Sequence, residues 1–493
     1  MSNIAQKETY KNNIYFVLFL FFFLLLKFAL QSKKITEYLK KMSKVETALK
    51  SASETKALII GQDVLKQTFQ LFKQQFPKKK AVIVADSVTF KIAGQTIVQQ
   101  FESNGIAQEP AFIYTDPEIY AEYKYVDELA EALKKHDAIP VAVGSGTIND
   151  LTKLAAHLTN RPYMCVATAA SMDGYTAFGA SITANGAKQT FNCPAPQACL
   201  ADIDILSAAP TEMTASGYAD LFAKITAGAD WILADALEVE PIDETAWSIV
   251  QDGLHEALAD PKGTRNGDTK AVTQLTEGLM LGGFAMQWSK SSRPASGAEH
   301  QFSHLWNMEH HTNNGAHISH GFQVAIGTLA ITALYEEVLK YPFDQLNIEA
   351  CCAAWPSIAT LEKEASELFK DTDFPEIGIQ ETKAKYIDAQ ALAKQLQLLK
   401  DNWSIIKEKI KAQLVPFNEA KERLKMVGAP YEPEHIGLTK DYLKRTFIRA
   451  QYIRRRFTVL DLLVRTNSLD FFMDRLFGQN GIWKIEENKT LIN

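Results

Sequence analysis

Cysteine is scarce in this chain and forms no pattern: Cys165, Cys193, Cys199, Cys351 and Cys352 are the only five, and none stands in CxxC spacing. An odd count without spacing excludes a disulfide framework and a thiolate metal module, so all five read as reduced, small hydrophobes. Basic charge is not in excess either. Lys and Arg number 52 against 58 Asp and Glu, a net charge of -6. That excludes a nucleic-acid binder, which needs a basic face. The basic run Arg454-Arg455-Arg456 therefore reads as a solvated helix face. No repeat of fixed period occurs, and no low-complexity linker lies beyond the first 41 residues.

Long hydrophobic runs are also missing, with one exception. Ile14 to Leu26 is unbroken, and with Lys27 tolerated the run reaches Leu30, 17 residues in all, at the short edge of a bilayer span. Three readings stay open. The run is an anchor with the body inside, as Lys33, Lys34, Lys40 and Lys41 after it outnumber Lys7 and Lys11 before it. It is a cleaved signal peptide, although no small-residue cleavage site follows. Or the working chain starts at Met42, where an ordinary soluble sequence opens. Residues 1–41 are set apart on these grounds, and membrane contact is expected only if 14–30 is retained.

What remains suits a globular protein of two or three domains: 46% of residues are hydrophobic and 22% charged, as in soluble enzymes. From Lys56 short apolar runs at 57–60, 81–86, 111–116, 139–144 and 163–168 alternate with amphipathic stretches such as 64–76 and 126–135. Strands alternating with helices predict a parallel sheet covered on both faces. After about Pro210 helical patterns take over, at 219–237, 272–288, 320–339, 387–413 and 442–465. The expected architecture is an α/β domain, 42–208, followed by an all-helical domain, 209–493.

Two turns in the first half suit a nucleotide. Val141 to Lys153 runs from a strand through Gly144-Ser145-Gly146 into a helix opened by Thr147 and Ile148. Glycines there allow close backbone approach, and free amides at a helix start favour an anion. The segment is neither GxGxxG nor a Walker loop, and a glycine turn kept for sterics alone is the competing reading. The second turn, Thr168 to Gly174, offers small residues, hydroxyls on Thr168 and Ser171, and Asp173, at the strand ends where open α/β folds bind ligands. Asp173 equally suits an N-cap or Asx-turn.

The strongest signal is a histidine cluster. His300, His304, His310, His311, His317 and His320 fall within 21 residues, six of the ten in the chain. His300 and His304 are i and i+4 and share a helix face. His320 opens the next helix, after a loop. Two imidazoles joined by a helix–loop–helix suit a divalent metal, and a catalytic site needs a third ligand and an open position. Asp220, a charge inside an apolar helix, is the candidate. His310, His311 and His317 read as loop residues.

Five motifs in order, GSGTINDLTK, TAASMDGYTA, SGYADLFAK, SSRPASGAEHQFSH and ISHGFQVAIGT, resemble the sn-glycerol-1-phosphate dehydrogenase family over roughly residues 50–465. That family belongs to the superfamily of dehydroquinate synthase, glycerol dehydrogenase and iron-containing alcohol dehydrogenases. The resemblance implies a Rossmann-like sheet domain followed by a helical metal-binding domain. It implies metal ligands Asp220, His300 and His320, with Asp220 and His304 as catalytic residues. Substrate contacts are Asp173, Asp220 and His304. Cofactor contacts are Gly144, Ser145, Gly146, Thr147, Ile148, Asp150, Thr168 and Ser171. The sequence departs from the family at Ala177, commonly a serine that touches cofactor, and at Ser145, commonly glycine.

The implied reaction links dihydroxyacetone phosphate and sn-glycerol 1-phosphate, with NAD or NADP and a divalent metal, zinc before nickel or iron. A phosphate needs a cation, for which Arg293 is the first candidate and Lys224 the second. A cytoplasmic homo-oligomer acting on a small phosphorylated three-carbon substrate is expected. The alternatives are a glycerol dehydrogenase, against which SSRPASGAEH argues, and a dehydroquinate-synthase-like cyclase, where glutamate usually stands at the position of Asp220. A non-catalytic metal-binding scaffold is the reading from another class.

Overall fold

The computed structural model describes residues 43–184 and 187–485. The apolar run at 14–30 lies outside them. Among the described residues no helix is long and apolar enough to cross a membrane. A helix at Lys44–Ser51 belongs to a separate unit; the unit that begins at Ala52 carries everything below.

Six parallel strands form its sheet: β1 (Ala57–Gly61), β2 (Ala81–Asp86), β3 (Phe112–Tyr114), β4 (Ile139–Gly144), β5 (Met164–Ala167) and β8 (Ala198–Asp202). Their order is β1-β8-β5-β4-β2-β3. After β2 the chain steps outward to β3, then returns across β2 to β4 and β5. The reversal opens a crevice at the carboxyl ends of β2 and β4, where open parallel sheets bind ligands. Side chains alternate between two cores, as a pleat requires. Val82, Val84, Ala142, Cys165, Ala167 and Cys199 face one cluster, continuous with the helical half. Ile83, Val141, Val143, Val166 and Leu200 face the other. The cysteines form no disulfide, and four of the five are buried.

Beside the sheet stands a hairpin absent from the expected pattern, β6 (Ala180–Ala184) with β7 (Ala187–Phe191). From Ile203 the described residues form helices joined by loops and one small hairpin, β9 (Thr312–Asn313) with β10 (Ala316–His317).

Six helices carry the site. They are α1 (Gly146–Leu158), α2 (Thr211–Phe222), α3 (Lys224–Ala236), α4 (Thr269–Ser289), α5 (Ala298–Met308) and α6 (His320–Val338). The pattern at 219–237, read as one helix, is two, divided at Ala223. The pattern at 442–465 is likewise broken. A helix at Lys440–Arg449 and a 3-10 turn at Ala450–Ile453 give way to extended backbone, and a new helix starts at Val459. Its cause is local: Thr458 and Asp461 make a capping box, with the Thr458 amide donating to Asp461 Oδ2 at 2.9 Å.

Candidate metal centre and cavity

Asp220 near the end of α2, His300 near the start of α5 and His320 at the first position of α6 come together, one ligating atom of each within 4.8 Å of the others. The helices approach closely because small residues sit at the crossings. A Cβ on Gly217 would stand 1.9 Å from the Ala170 carbonyl oxygen, and one on Gly321 1.9 Å from that of Ser216. Any larger residue at either position would push a ligand-bearing helix away.

The surroundings set the state of each ligand. Asp220 is fully buried, and both carboxylate oxygens are engaged. Oδ1 lies 2.7 Å from Lys224 Nζ, and Oδ2 accepts the Asp173 amide at 3.1 Å. Burial opposes its charge, but the Lys224 ammonium and the two imidazoles outweigh that and hold the carboxyl below the usual carboxylate range. Lys224 also lies 2.7 Å from Asp173 Oδ2. Burial works against its charge, and the two aspartates overcome that and keep its pKa raised.

Each imidazole is oriented by a neighbour. His300 Nδ1 lies 2.8 Å from Glu299 Oε1, and its Nε2 faces Asp220 Oδ1 at 3.5 Å. The carboxylate behind the ring holds a proton on Nδ1. Burial opposes charge on His300, but Asp220 and Glu299 outweigh it and raise its pKa, so a metal on Nε2 would displace a proton. Ser303 Oγ donates to Gln323 Oε1 at 2.8 Å, so its oxygen must accept from His320 Nδ1 at 3.2 Å. The free lone pair of His320 is then on Nε2. Burial pushes His320 down to about 3, so the ring is neutral at ordinary pH. One carboxylate and two oriented imidazoles form the donor set of an open catalytic site for a divalent ion, which would take the place of a proton on His300 Nε2, so the residues fit a metal.

The two imidazoles, with Asp220 buried behind them, form part of the wall of a cavity of about 730 Å³, ample for a small ligand and part of a cofactor. Ser145, Gly146, Thr147, Asp150, Ser171 and Asp173 line it, as do His300, His304 and His320. The amides at the start of α1 have no intrahelical acceptor. The other three residues expected at the cofactor shape the turn from behind. A Cβ on Gly144 would meet the Ile148 side chain at 2.5 Å, and Ile148 is buried. The Thr168 amide donates to the Gly144 carbonyl at 3.1 Å. Asp150 accepts the Ser181 amide at 3.1 Å, which ties α1 to the first hairpin.

Arg293, expected to meet a substrate phosphate, does not line the cavity. It is 2% exposed, and its guanidinium donates to the carbonyls of Asp230 (2.9 Å) and Phe457 (3.0 Å), with Glu240 3.2 Å from Nε. Those bonds tie its 3-10 turn to α3 and to the extended segment before Val459. Lys224, the second candidate, is committed to the two aspartates.

His304 is beside the triad rather than in it, its ring centre 6.4 Å from that of His300 and 6.2 Å from that of His320. Its Nε2 accepts from Arg454 at 3.1 Å. His310 pairs with Asp373 at 2.8 Å and His311 Nε2 meets the Ile436 carbonyl at 2.7 Å. His317 stacks on Tyr120 with ring centres 4.9 Å apart. Sequence reasoning missed Glu299, Ser303, Lys188 and Arg454. Glu299 had a signal, since it directly precedes a candidate ligand. It missed Lys153 too, whose buried ammonium donates to the carbonyls of Gly174, Ala177 and Gly179 at 2.9, 3.0 and 2.9 Å and pins the second turn.

Comparison with known proteins finds relatives of the same family and fold. Residues 59–210 match the family model described as iron-containing alcohol dehydrogenase. A glycerol-1-phosphate dehydrogenase [NAD(P)+] of Halalkalibacterium halodurans is 34% identical over 256 residues, 52% of this chain and 64% of that protein. One from Bacillus velezensis is 33% identical over 299 residues, 59% of this chain and 75% of that protein. Among solved structures, a glycerol dehydrogenase from Schizosaccharomyces pombe superposes with a TM-score of 0.54 at 16% identity, covering 86% of this chain and 92% of that one. At that identity the likeness is of fold alone.

Proposed function

The chain belongs to the glycerol-1-phosphate dehydrogenase family, and from that premise we propose that it interconverts dihydroxyacetone phosphate and sn-glycerol 1-phosphate with NAD or NADP and a divalent metal. The observation that carries the reading is the convergence of buried Asp220 with His300 and His320, two imidazoles in the wall of the cavity that the Ser145-Gly146 turn also lines. Residues 42–208 would bind the dinucleotide, and 209–493 the metal and substrate.

A divalent ion held by Asp220, His300 and His320 supplies Lewis acidity toward a carbonyl oxygen, and the nicotinamide supplies hydride. The chain's own residues do the rest. The start of α1, with Ser145, Gly146 and Thr147, offers free amides to the cofactor diphosphate. Asp150 and Ser171 stand beside it, and Gly144, Ile148 and Thr168 keep the turn in shape. Asp173 faces the substrate side, its charge offset by Lys224. His304 is the substrate-facing imidazole. With Nε2 occupied by Arg454, which only donates, its single proton is on Nδ1. Burial, with the Arg454 guanidinium adding to it, pushes His304 down, so it serves as a neutral donor.

Two imidazoles, one carboxylate and an open position suit zinc first, with nickel and iron as alternatives. A homo-oligomer is the assembly we propose, supported by Val88 and Ile92, one turn apart and 65% and 49% exposed. We place the enzyme in the cytoplasm, where soluble nicotinamide cofactor is available, with residues 14–30 as an inward-facing tether if retained.

The test is nicotinamide oxidation with dihydroxyacetone phosphate as substrate, chiral analysis of the product, and metal analysis before and after chelation. Turnover of glycerol in preference to glycerol 1-phosphate would overturn the reading in favour of a glycerol dehydrogenase. Turnover that survives complete metal removal would overturn the metal's role.

A further inference from the structure

The ester group of a phosphorylated substrate carries close to two negative charges at neutral pH, and neither cation expected from the sequence is free to meet it. Among the described residues that line the cavity, two are Lys or Arg: Arg454 and Lys188. Neither has a carboxylate oxygen within 4.0 Å among the described residues, unlike Lys224, Arg293 and Arg455.

Both are aimed by the backbone around them. Arg454 opens the extended segment after the 3-10 turn, with φ -150° and ψ 142°. Alternation along extended backbone sends neighbours to opposite sides. Arg455 accordingly points outward and forks onto Glu381 at 3.1 and 3.0 Å. Arg456 turns inward and donates to the Ser296 carbonyl at 2.7 Å and Ser292 Oγ at 2.9 Å. The Arg454 guanidinium has five N–H groups. One donates to His304 Nε2, on the metal side of the cavity. Lys188 comes from β7. Its ammonium donates to Tyr120 Oη at 3.3 Å and lies 5.3 Å from the centre of that ring. Tyr120, stacked on His317, is thus the prop that holds Lys188 against the cavity.

Resting on the functional reading above, we infer that Arg454 and Lys188 form a two-sided clamp for the substrate's phosphate monoester and set the preference for phosphorylated over free ketones. Arg454 supplies the planar fork that fits two phosphate oxygens, and Lys188 supplies a point charge. The same chemistry occurs in the 2′-phosphate of NADP. The link from Arg454 to His304, and through the α5 helix to His300, puts the clamp at the substrate.

The test compares kcat/KM for dihydroxyacetone phosphate and for dihydroxyacetone, with NADH and with NADPH, in the metal-loaded full chain. The variants are Arg454→Gln, Arg454→Lys and Lys188→Gln. Arg454→Gln keeps an N–H for His304 while removing the charge, and thermal unfolding reports whether each variant folds. Arg454→Gln should lower the ratio of ester to free ketone by about 10- to 100-fold, through KM of the ester. Lys188→Gln should lower it about 10-fold, and Arg454→Lys should recover part of the loss. Inorganic phosphate should inhibit wild type competitively against the ester and Arg454→Gln at least 10-fold less well. A ratio unchanged in folded Arg454→Gln and Lys188→Gln, with the ester still preferred by wild type, overturns the clamp and leaves the functional reading intact. Loss confined to NADPH assigns the residues to the cofactor and also overturns it. If wild type prefers the free ketone, the functional reading itself fails and takes the clamp with it.

Discussion

Lys224 Nζ and Asp220 Oδ1 lie 2.7 Å apart, one helical turn from each other and both without solvent contact. The ammonium also takes the Asp220 main-chain carbonyl at 2.8 Å. This lysine is the internal counter-charge of the metal-site carboxylate.

Removing it should therefore cost stability first. Lys224→Met leaves the buried Asp220 and the partly buried Asp173 without their cation, a change worth roughly 3–5 kcal/mol. Urea unfolding of metal-free protein should show a loss of that order, and divalent metal should recover part of it by supplying the missing charge. A loss under about 1 kcal/mol, with or without metal, would show that the lysine neutralises nothing.

Glu299 acts on the metal through His300. Glu299→Gln keeps the shape of the side chain and removes the charge behind Nδ1. Metal affinity, measured by competition with a chromophoric chelator, should fall by about 10- to 100-fold while the fold persists. Unchanged affinity would reduce Glu299 to a partner of Thr226 and Gly297, whose hydroxyl and amide it also accepts at 2.9 and 2.6 Å.

Arg293 separates structural from binding cations. Arg293→Ala should destabilise the protein by roughly 2–4 kcal/mol, since it strands two buried carbonyls. The ratio of kcat/KM for phosphorylated and free ketone should not move. If that ratio falls tenfold in folded Arg293→Ala, the guanidinium reaches substrate in a state other than this one.

Asp230 gives a pH signature. Burial and the nearby Glu299 carboxylate push its carboxyl up to about 7, against hydrogen bonds from Tyr335, Ala298 and Val459. A carboxyl whose folded pKa is raised binds its proton more tightly folded than unfolded. Its contribution to stability is complete below the unfolded value of about 3.9 and is lost as pH rises to about 7. Wild type should therefore lose up to ~4 kcal/mol relative to Asp230→Asn between pH 4 and 7. A pH-independent difference between the two proteins would place Asp230 in its charged form throughout.

Much of this was legible in the chain itself. The sheet strands at 57–60, 81–86 and 139–144 announce themselves by apolar runs bounded by turn residues. His300 and His320 do so by helical spacing and a loop. Asp220 does so as a charge in apolar company. Other features had signals that composition hides. The hairpin of β6 and β7 surrounds an Asn-Gly dipeptide at 185–186, a hairpin signal between alternating runs. Thr458 and Asp461 spell a capping box inside what periodicity reads as one helix. Arg293 and Arg454 could not be told apart as phosphate partners, because neither local sequence says what the guanidinium meets. Only tertiary packing decides which is occupied by carbonyls and which stands free at a cavity wall.

No helix carries more than one of Asp220, His300 and His320. A peptide holding any one of α2, α5 or α6 alone therefore cannot assemble the donor set. Lys224 gives the empty site its own charge balance, and the glycine crossings and apolar packing bring the helices together without help. Charge balance and packing around the ligands therefore do not wait on the ion, and the metal would enter a preformed site. Metal starvation in a cell would then yield folded, inactive protein that can be rescued by ion alone, rather than unfolded chain destined for degradation.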